Sequence, residues 1–179
     1  MGFKNSNMSL LKQKTDYIQR GAFDELYTPK EAIEMVLPFI PKKVNTIWEC
    51  TAIKESKIVQ VLKENGYNVI TTHIENGEDF FKYKPENFDM IITNPPYSLK
   101  DKFLKRAYEL QKPFMFLLPL TTLEGIQRGK MFKKYGIQIL IPNKRFNFKP
   151  EKNSGAWFQT SWFCHGCQLK SDVNFVMLK

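Results

Sequence analysis

The run Met90-Ile91-Ile92-Thr93 passes directly into Asn94-Pro95-Pro96-Tyr97, and this junction constrains the fold more than any other stretch. Four residues so apolar and branched read as a buried strand. The consecutive prolines end it. Each lacks an amide donor, and each holds the residue before it in extended geometry. The chain therefore leaves the strand along a stiff path. The Asn94 side chain and the Pro95 carbonyl become neighbouring acceptors at the strand's C-terminal edge, where open α/β sheets place ligands. Tyr97 sets a flat ring beside them. Two acceptors next to an aromatic ring suit a planar base that carries an exocyclic amine.

The remaining sequence supplies the elements of such a sheet. Thr28-Pro29-Lys30-Glu31 predicts a helix start, with Thr28 as N-cap, Pro29 in the first turn and Glu31 closing a capping box. That helix is expected to reach Leu37, just before Pro38. Helical spacing recurs over 56–65, with Gly66 as its C-terminal glycine, and over 101–110, where Phe103, Leu104, Ala107 and Leu110 share a face. Strands are expected over 46–50, 67–72, 88–93 and 113–118. A further strand over 136–141 follows a basic helix. Segments 157–165 and 174–178 read as a β-hairpin turning near Lys170-Ser171-Asp172. Strands alternating with helices predict an α/β fold: a mostly parallel sheet with helices on both faces and a C-terminal antiparallel hairpin.

A length of 179 residues suits one domain with a real core. Residues 1–22 are polar and basic and read as a loose arm, leaving 23–179 as a single domain. The net charge of +9 points to an anionic partner, nucleic acid before a membrane surface. No stretch approaches the roughly 20 apolar residues of a membrane span, and the first residues lack a signal-peptide core. Three cysteines make no disulfide framework, so reduced thiols and a cytoplasmic location are expected. Cys164-His165-Gly166-Cys167 reads as a strand end entering a turn. Only Cys50 and His73 remain to complete a four-ligand site, so no metal is expected.

The tetrapeptide Asn94-Pro95-Pro96-Tyr97 resembles the catalytic motif of the amino-methyltransferases, which move a methyl group from S-adenosylmethionine to adenine N6 or cytosine N4. Trp48-Glu49 stands in the family's first-strand position. Gly77-Glu78-Asp79-Phe80 resembles its G-x-D-F element, and Tyr27-Thr28-Pro29 its upstream cofactor-side element. The run 114–119 resembles the strand after the catalytic helix. These pieces occur in the family's order from Tyr27 to Phe163, and the whole pattern is most similar to the small adenine-methyltransferase-like proteins of phages and prophages.

The resemblance implies a Rossmann-like methyltransferase fold, S-adenosylmethionine as cofactor, DNA as partner and a host-cell cytoplasmic setting. It implies that Asn94 and Pro95 hold the amine, that Pro96 stiffens the turn and that Tyr97 stacks on the base. Asp79 and Phe80 would help to seat that base. Tyr27, Thr28, Glu49, Thr51, Ala52, His73, Ile74 and Asn94 would face the cofactor, with Glu49 on its ammonium. The residues alone also allow Thr28 and Asp79 to be caps and Phe80 to be core. RNA adenine and DNA cytosine N4 remain open as substrates.

The cofactor side departs from the family pattern. The turn after the first strand, Cys50 to Lys57, contains no glycine, and His73 stands where an acidic residue usually ends the second strand. Glu75 follows two places later. Two readings follow. One is an active adenine methyltransferase with a rebuilt turn. The other is a catalytically silent relative that binds nucleic acid or a host restriction or defence protein. Candidate nucleic-acid contacts are the arm (Lys4, Lys12, Lys14, Arg20), the segment 125–134, and the loop 144–152 that begins with Lys144 and Arg145. Phe146, Phe148 and Trp157 are interleaved there, either to stack on bases or to fill the core.

Overall fold

The computed structural model describes residues 28–52, 55–148 and 159–178. The basic arm, Tyr27, Ile53, Lys54, Lys149, Lys152 and Trp157 lie outside the described residues. Seven strands form one sheet: β1 (Thr46–Glu49), β2 (Asn68–Thr71), β3 (Met90–Thr93), β4 (Phe114–Pro119), β5 (Gln138–Pro142), β6 (Thr160–His165) and β7 (Val173–Val176). Their order is β2-β1-β3-β4-β6-β5-β7. All neighbours pair in parallel except β6, which runs antiparallel to both β4 and β5. This is the mostly parallel, Rossmann-like α/β sheet expected from the sequence.

Alternation along the strands divides the core between two faces. Ile47, Met90, Ile92, Met115 and Leu117 pack with helices α1 (Lys30–Glu34) and α2 (Lys57–Glu64). Trp48, Ile91, Phe114, Phe116 and Leu118 pack with helix α3 (Lys100–Leu110), and Met131 and Phe132 of helix α4 (Ile126–Tyr135) lean on the same cluster. β3 and β4 are buried along their whole length, which explains their unbroken apolar runs. Buried indole groups are satisfied. Trp162 Nε1 donates to the Ala32 carbonyl at 2.8 Å, and Trp48 Nε1 to Thr72 Oγ1 at 2.8 Å.

Three details differ from the sequence reading. The first helix has Pro29 at its N-cap position with no side-chain cap, and it ends at Glu34. Thr28 is not the cap: it lies one place before Pro29 and its hydroxyl accepts from Asn94, while Glu31 pairs with Lys144 at 3.0 Å.

The last two strands do not form a hairpin. β6 inserts between β4 and β5, and β7 lies on the far side of β5, in parallel with it. Gln138, at the start of β5, is the physical reason. Its Nε2 donates to the carbonyls of Leu169 and Ser171, and its Oε1 accepts from the Leu169 amide. The connection is thereby drawn across the end of β5 instead of turning back on β6.

Phe146 is fully buried and turned into the core, while Phe148 is half-buried against the first core cluster. The apolar demand of the sheet face outweighs the polar neighbours in sequence. Among the described residues, no helix is long and apolar enough to cross a membrane.

Candidate active site

β1 and β3 are neighbours, and their connections leave in opposite directions. β1 runs through α2 to β2 on one face, and β3 through α3 to β4 on the other. Such a reversal opens a crevice outside the carboxyl ends of the two strands. Glu49 ends β1, and Asn94 follows β3, so both fall at that crevice.

Glu49 is fully buried. Its Oε1 accepts from the Thr51 amide at 3.2 Å, from Thr51 Oγ1 at 3.1 Å and from Thr93 Oγ1. The two threonine hydroxyls lie 2.6 Å apart. Oε2 has no hydrogen-bond partner among the described residues. Burial without a countercharge disfavours the carboxylate and pushes its pKa up to about 7, against the pull of the Thr93 and Thr51 hydrogen bonds.

Thr51, at the start of the glycine-free segment, thus binds this carboxyl. Ser56 is the N-cap of α2, and its side chain accepts from the Val59 amide at 3.5 Å. Ala52 is buried beside Thr51. On the next strand, His73 follows β2 and is 3% exposed. Its Nδ1 accepts from the Glu75 amide at 3.3 Å. Burial lowers its pKa, and the nearby Glu75 carboxylate opposes that effect. Ile74, half-buried, opens the short turn that follows.

Asn94 is fully buried, and its Nδ2 donates to Thr28 Oγ1 at 3.0 Å. The amide is thereby oriented, with nitrogen toward α1 and oxygen on the opposite side. Pro95 and Pro96 are buried, so the turn has little room to relax. Tyr97 is half-buried against the second core cluster and opens the turn Tyr97–Leu99, which runs into α3. Lys100 Nζ donates to the Tyr97 carbonyl at 3.1 Å.

Other expected site residues have visible structural duties. Asp79 Oδ1 accepts from the Phe81 amide at 3.0 Å, the local cap its sequence allowed. Phe80 is 1% exposed and stacks on Phe103, with centroids 4.7 Å apart and planes at 9°. Lys144 is held by Glu31, while Arg145 is exposed. Arg128 is committed to Asp101 Oδ1 at 2.6 Å and to the Thr122 carbonyl at 2.8 Å.

Thr93 is the residue that sequence reasoning missed. Its one signal is a hydroxyl closing an apolar strand immediately before Asn94. It joins the Glu49 network to the Asn94 turn.

No family model and no curated protein matches the sequence. Solved structures do match in fold. One is a chain from a structural study of complex assembly and conformational transition of the type I R-M system. It has 13% identity and a TM-score of 0.52, over 96% of this chain and 48% of that one. Another is described as a modification subunit of a type I restriction enzyme from Vibrio vulnificus YJ016. It has 13% identity and a TM-score of 0.46, over 89% of this chain and 48% of that one. The chain thus spans about half the length of these neighbours, and the likeness to the first is one of fold.

Proposed function

We propose that this protein transfers a methyl group from S-adenosylmethionine to the exocyclic amine of adenine in nucleic acid, DNA foremost. The observation that carries the reading is the setting of Asn94. It sits at the carboxyl end of β3, with its amide nitrogen tied to Thr28 and the Pro95 carbonyl beside it, across the crevice from a buried acid.

The chain's residues fit the cofactor. Glu49 Oε2, buried and unpartnered among the described residues, suits a cationic ammonium. Thr51 and Ala52 form the turn beside it, and Thr28 lies at the Asn94 side. His73 stands beside the ribose position, in place of the acid usual there, with Ile74 alongside. When bound, S-adenosylmethionine supplies a methyl group already activated by its sulfonium charge.

The adenine amine is a weak nucleophile because its lone pair is delocalised into the ring. Asn94 Oδ1 and the Pro95 carbonyl accept its two hydrogens and favour a pyramidal nitrogen. Tyr97 holds the plane of the base. The same two acceptors stabilise the positive charge that develops on nitrogen and guide the surplus proton toward water. Catalysis then rests on position and electrostatics rather than on a strong base. A base in a duplex must first leave the stack, at about a few kcal/mol.

The decisive experiment is transfer of labelled methyl from S-adenosylmethionine to single- and double-stranded adenine-containing DNA and RNA, with Asn94→Ala beside the native chain. The reading expects product on at least one substrate and a loss of about a hundredfold or more in the variant, with the fold intact. No product on any of them, or full activity in Asn94→Ala, sinks it.

A further inference from the structure

The crevice at Asn94 accounts for one base, but a strand of nucleic acid also needs a path for its backbone. The charged surface divides by position. Lys144 and Arg145 lie in the loop after β5, where Lys144 pairs with Glu31 at 3.0 Å. A second basic surface lies between α3 and α4, as an open groove of about 480 Å³. Both helices start at the carboxyl edge, because α3 follows β3 and α4 follows β4. The groove therefore begins within a turn of Tyr97 and runs alongside an α3 that is about 16 Å long.

Four lysines line this groove: Lys102 and Lys105 from α3, Lys130 and Lys134 from α4. Its two carboxylates are already engaged. Asp101 is held by Arg128 at 2.6 Å, and Glu109 lies 4.0 Å from Lys105. Lys134 rests over the Tyr135 ring at 4.8 Å, so its cation is positioned. Lys102 and Lys130 are exposed and have no ion pair among the described residues. A groove lined by four lysines and two carboxylates that each have a basic neighbour fits a polyanion, and its α3 wall begins at Asp101, four residues after Tyr97.

We infer that the α3–α4 groove binds the sugar-phosphate backbone of the target strand, through Lys102 and Lys130 in particular. The assignment rests on the proposed function for its choice of ligand, but it is tested by binding alone. The probe is a fluorescein-labelled single-stranded 20-mer containing adenine, read by anisotropy across a salt series. Lys102→Ala/Lys130→Ala should weaken binding at least tenfold at low salt and flatten the salt slope by about 1.4, or 0.7 for each lost phosphate contact. The control is Lys42→Ala/Lys43→Ala. These lysines line a larger groove of about 730 Å³ at the opposite, amino edge of the sheet. This control should change affinity less than twofold.

Undiminished binding in the groove variant overturns the assignment. So does an equal loss in the amino-edge variant, or equal competition by poly-glutamate at matched charge. The two readings fail separately. Normal oligonucleotide binding without methyl transfer removes the proposed function and leaves the groove. Methyl transfer that survives the groove substitution with unchanged KM removes the groove and leaves the proposed function.

Discussion

The Asn94 side-chain nitrogen donates to Thr28 Oγ1 at 3.0 Å and joins the head of α1 to the end of β3 across 66 positions of sequence. Thr28 is 1% exposed, so water does not compete for the bond. Thr28→Val keeps the shape and removes the acceptor. The amide then loses the contact that sets which end is oxygen. Methyl transfer is expected to fall about tenfold or more in kcat, with a smaller change in KM for cofactor. Stability should drop by about 1–2 kcal/mol. Thr28→Ser should restore both. Steady-state kinetics beside a denaturant titration check this, and unchanged kcat in Thr28→Val would reassign the hydroxyl to a purely structural role.

Glu49 makes the protein sensitive to pH. Its folded pKa of about 7 lies above the ordinary 4.5, so the folded chain binds this proton more tightly than the unfolded one. Stability from this group is fully present below pH 4.5 and is lost as pH rises through 7, about 3 kcal/mol in all. Cofactor binding runs the other way. A cationic ammonium needs the ionised carboxylate, so affinity should rise with pH up to about 7 and then level off. Glu49→Gln should flatten both profiles. Calorimetry in buffers of different ionisation enthalpy would register the released proton. A pH-independent affinity in the native chain would remove Glu49 from the cofactor site.

The parallel sheet and the Asn94 turn were legible because their signals are local. An apolar run stopped by two prolines has few other conformations, and alternation fixes which face each residue joins. The connectivity of β6 and β7 was not legible, since Gln138 acts through partners more than 30 positions away. The role of Thr28 was hidden for the same reason: a threonine before Pro29 is a good cap on local grounds, and only the fold brings Asn94 to it. Thr93 looked like the last residue of a strand. Its hydroxyl mattered only once β1 lay beside β3. The interleaved aromatics were ambiguous by nature, and burial decided Phe146.

Gln138 makes a prediction about the edge of the sheet. Three hydrogen bonds from one side chain hold the connection that carries β7 past β5. Gln138→Ala should loosen β7 more than the rest of the molecule, because the core strands do not depend on that side chain. Hydrogen exchange at the amides of 173–176 is expected to accelerate about tenfold, while β3 and β4 keep their protection. Uniform acceleration across all strands would instead mean that β7 and the central sheet open together.

Phe80 separates a core role from a substrate role. It is 1% exposed, stacks on Phe103 and lies 5.2 Å from Trp48, centroid to centroid. Phe80→Ala leaves a cavity at the point where the G-x-D-F segment meets α3. Stability is expected to fall by about 3–5 kcal/mol, and Phe80→Leu by a smaller amount. In the leucine variant, the KM for nucleic acid should stay within about twofold of the native value, since the ring offers no surface to a base. Thermal melts and transfer kinetics on both variants decide the matter. A stable Phe80→Ala with a raised KM for the oligonucleotide would show that the ring reaches the base, and the wall described beside Trp48 would have to open for it.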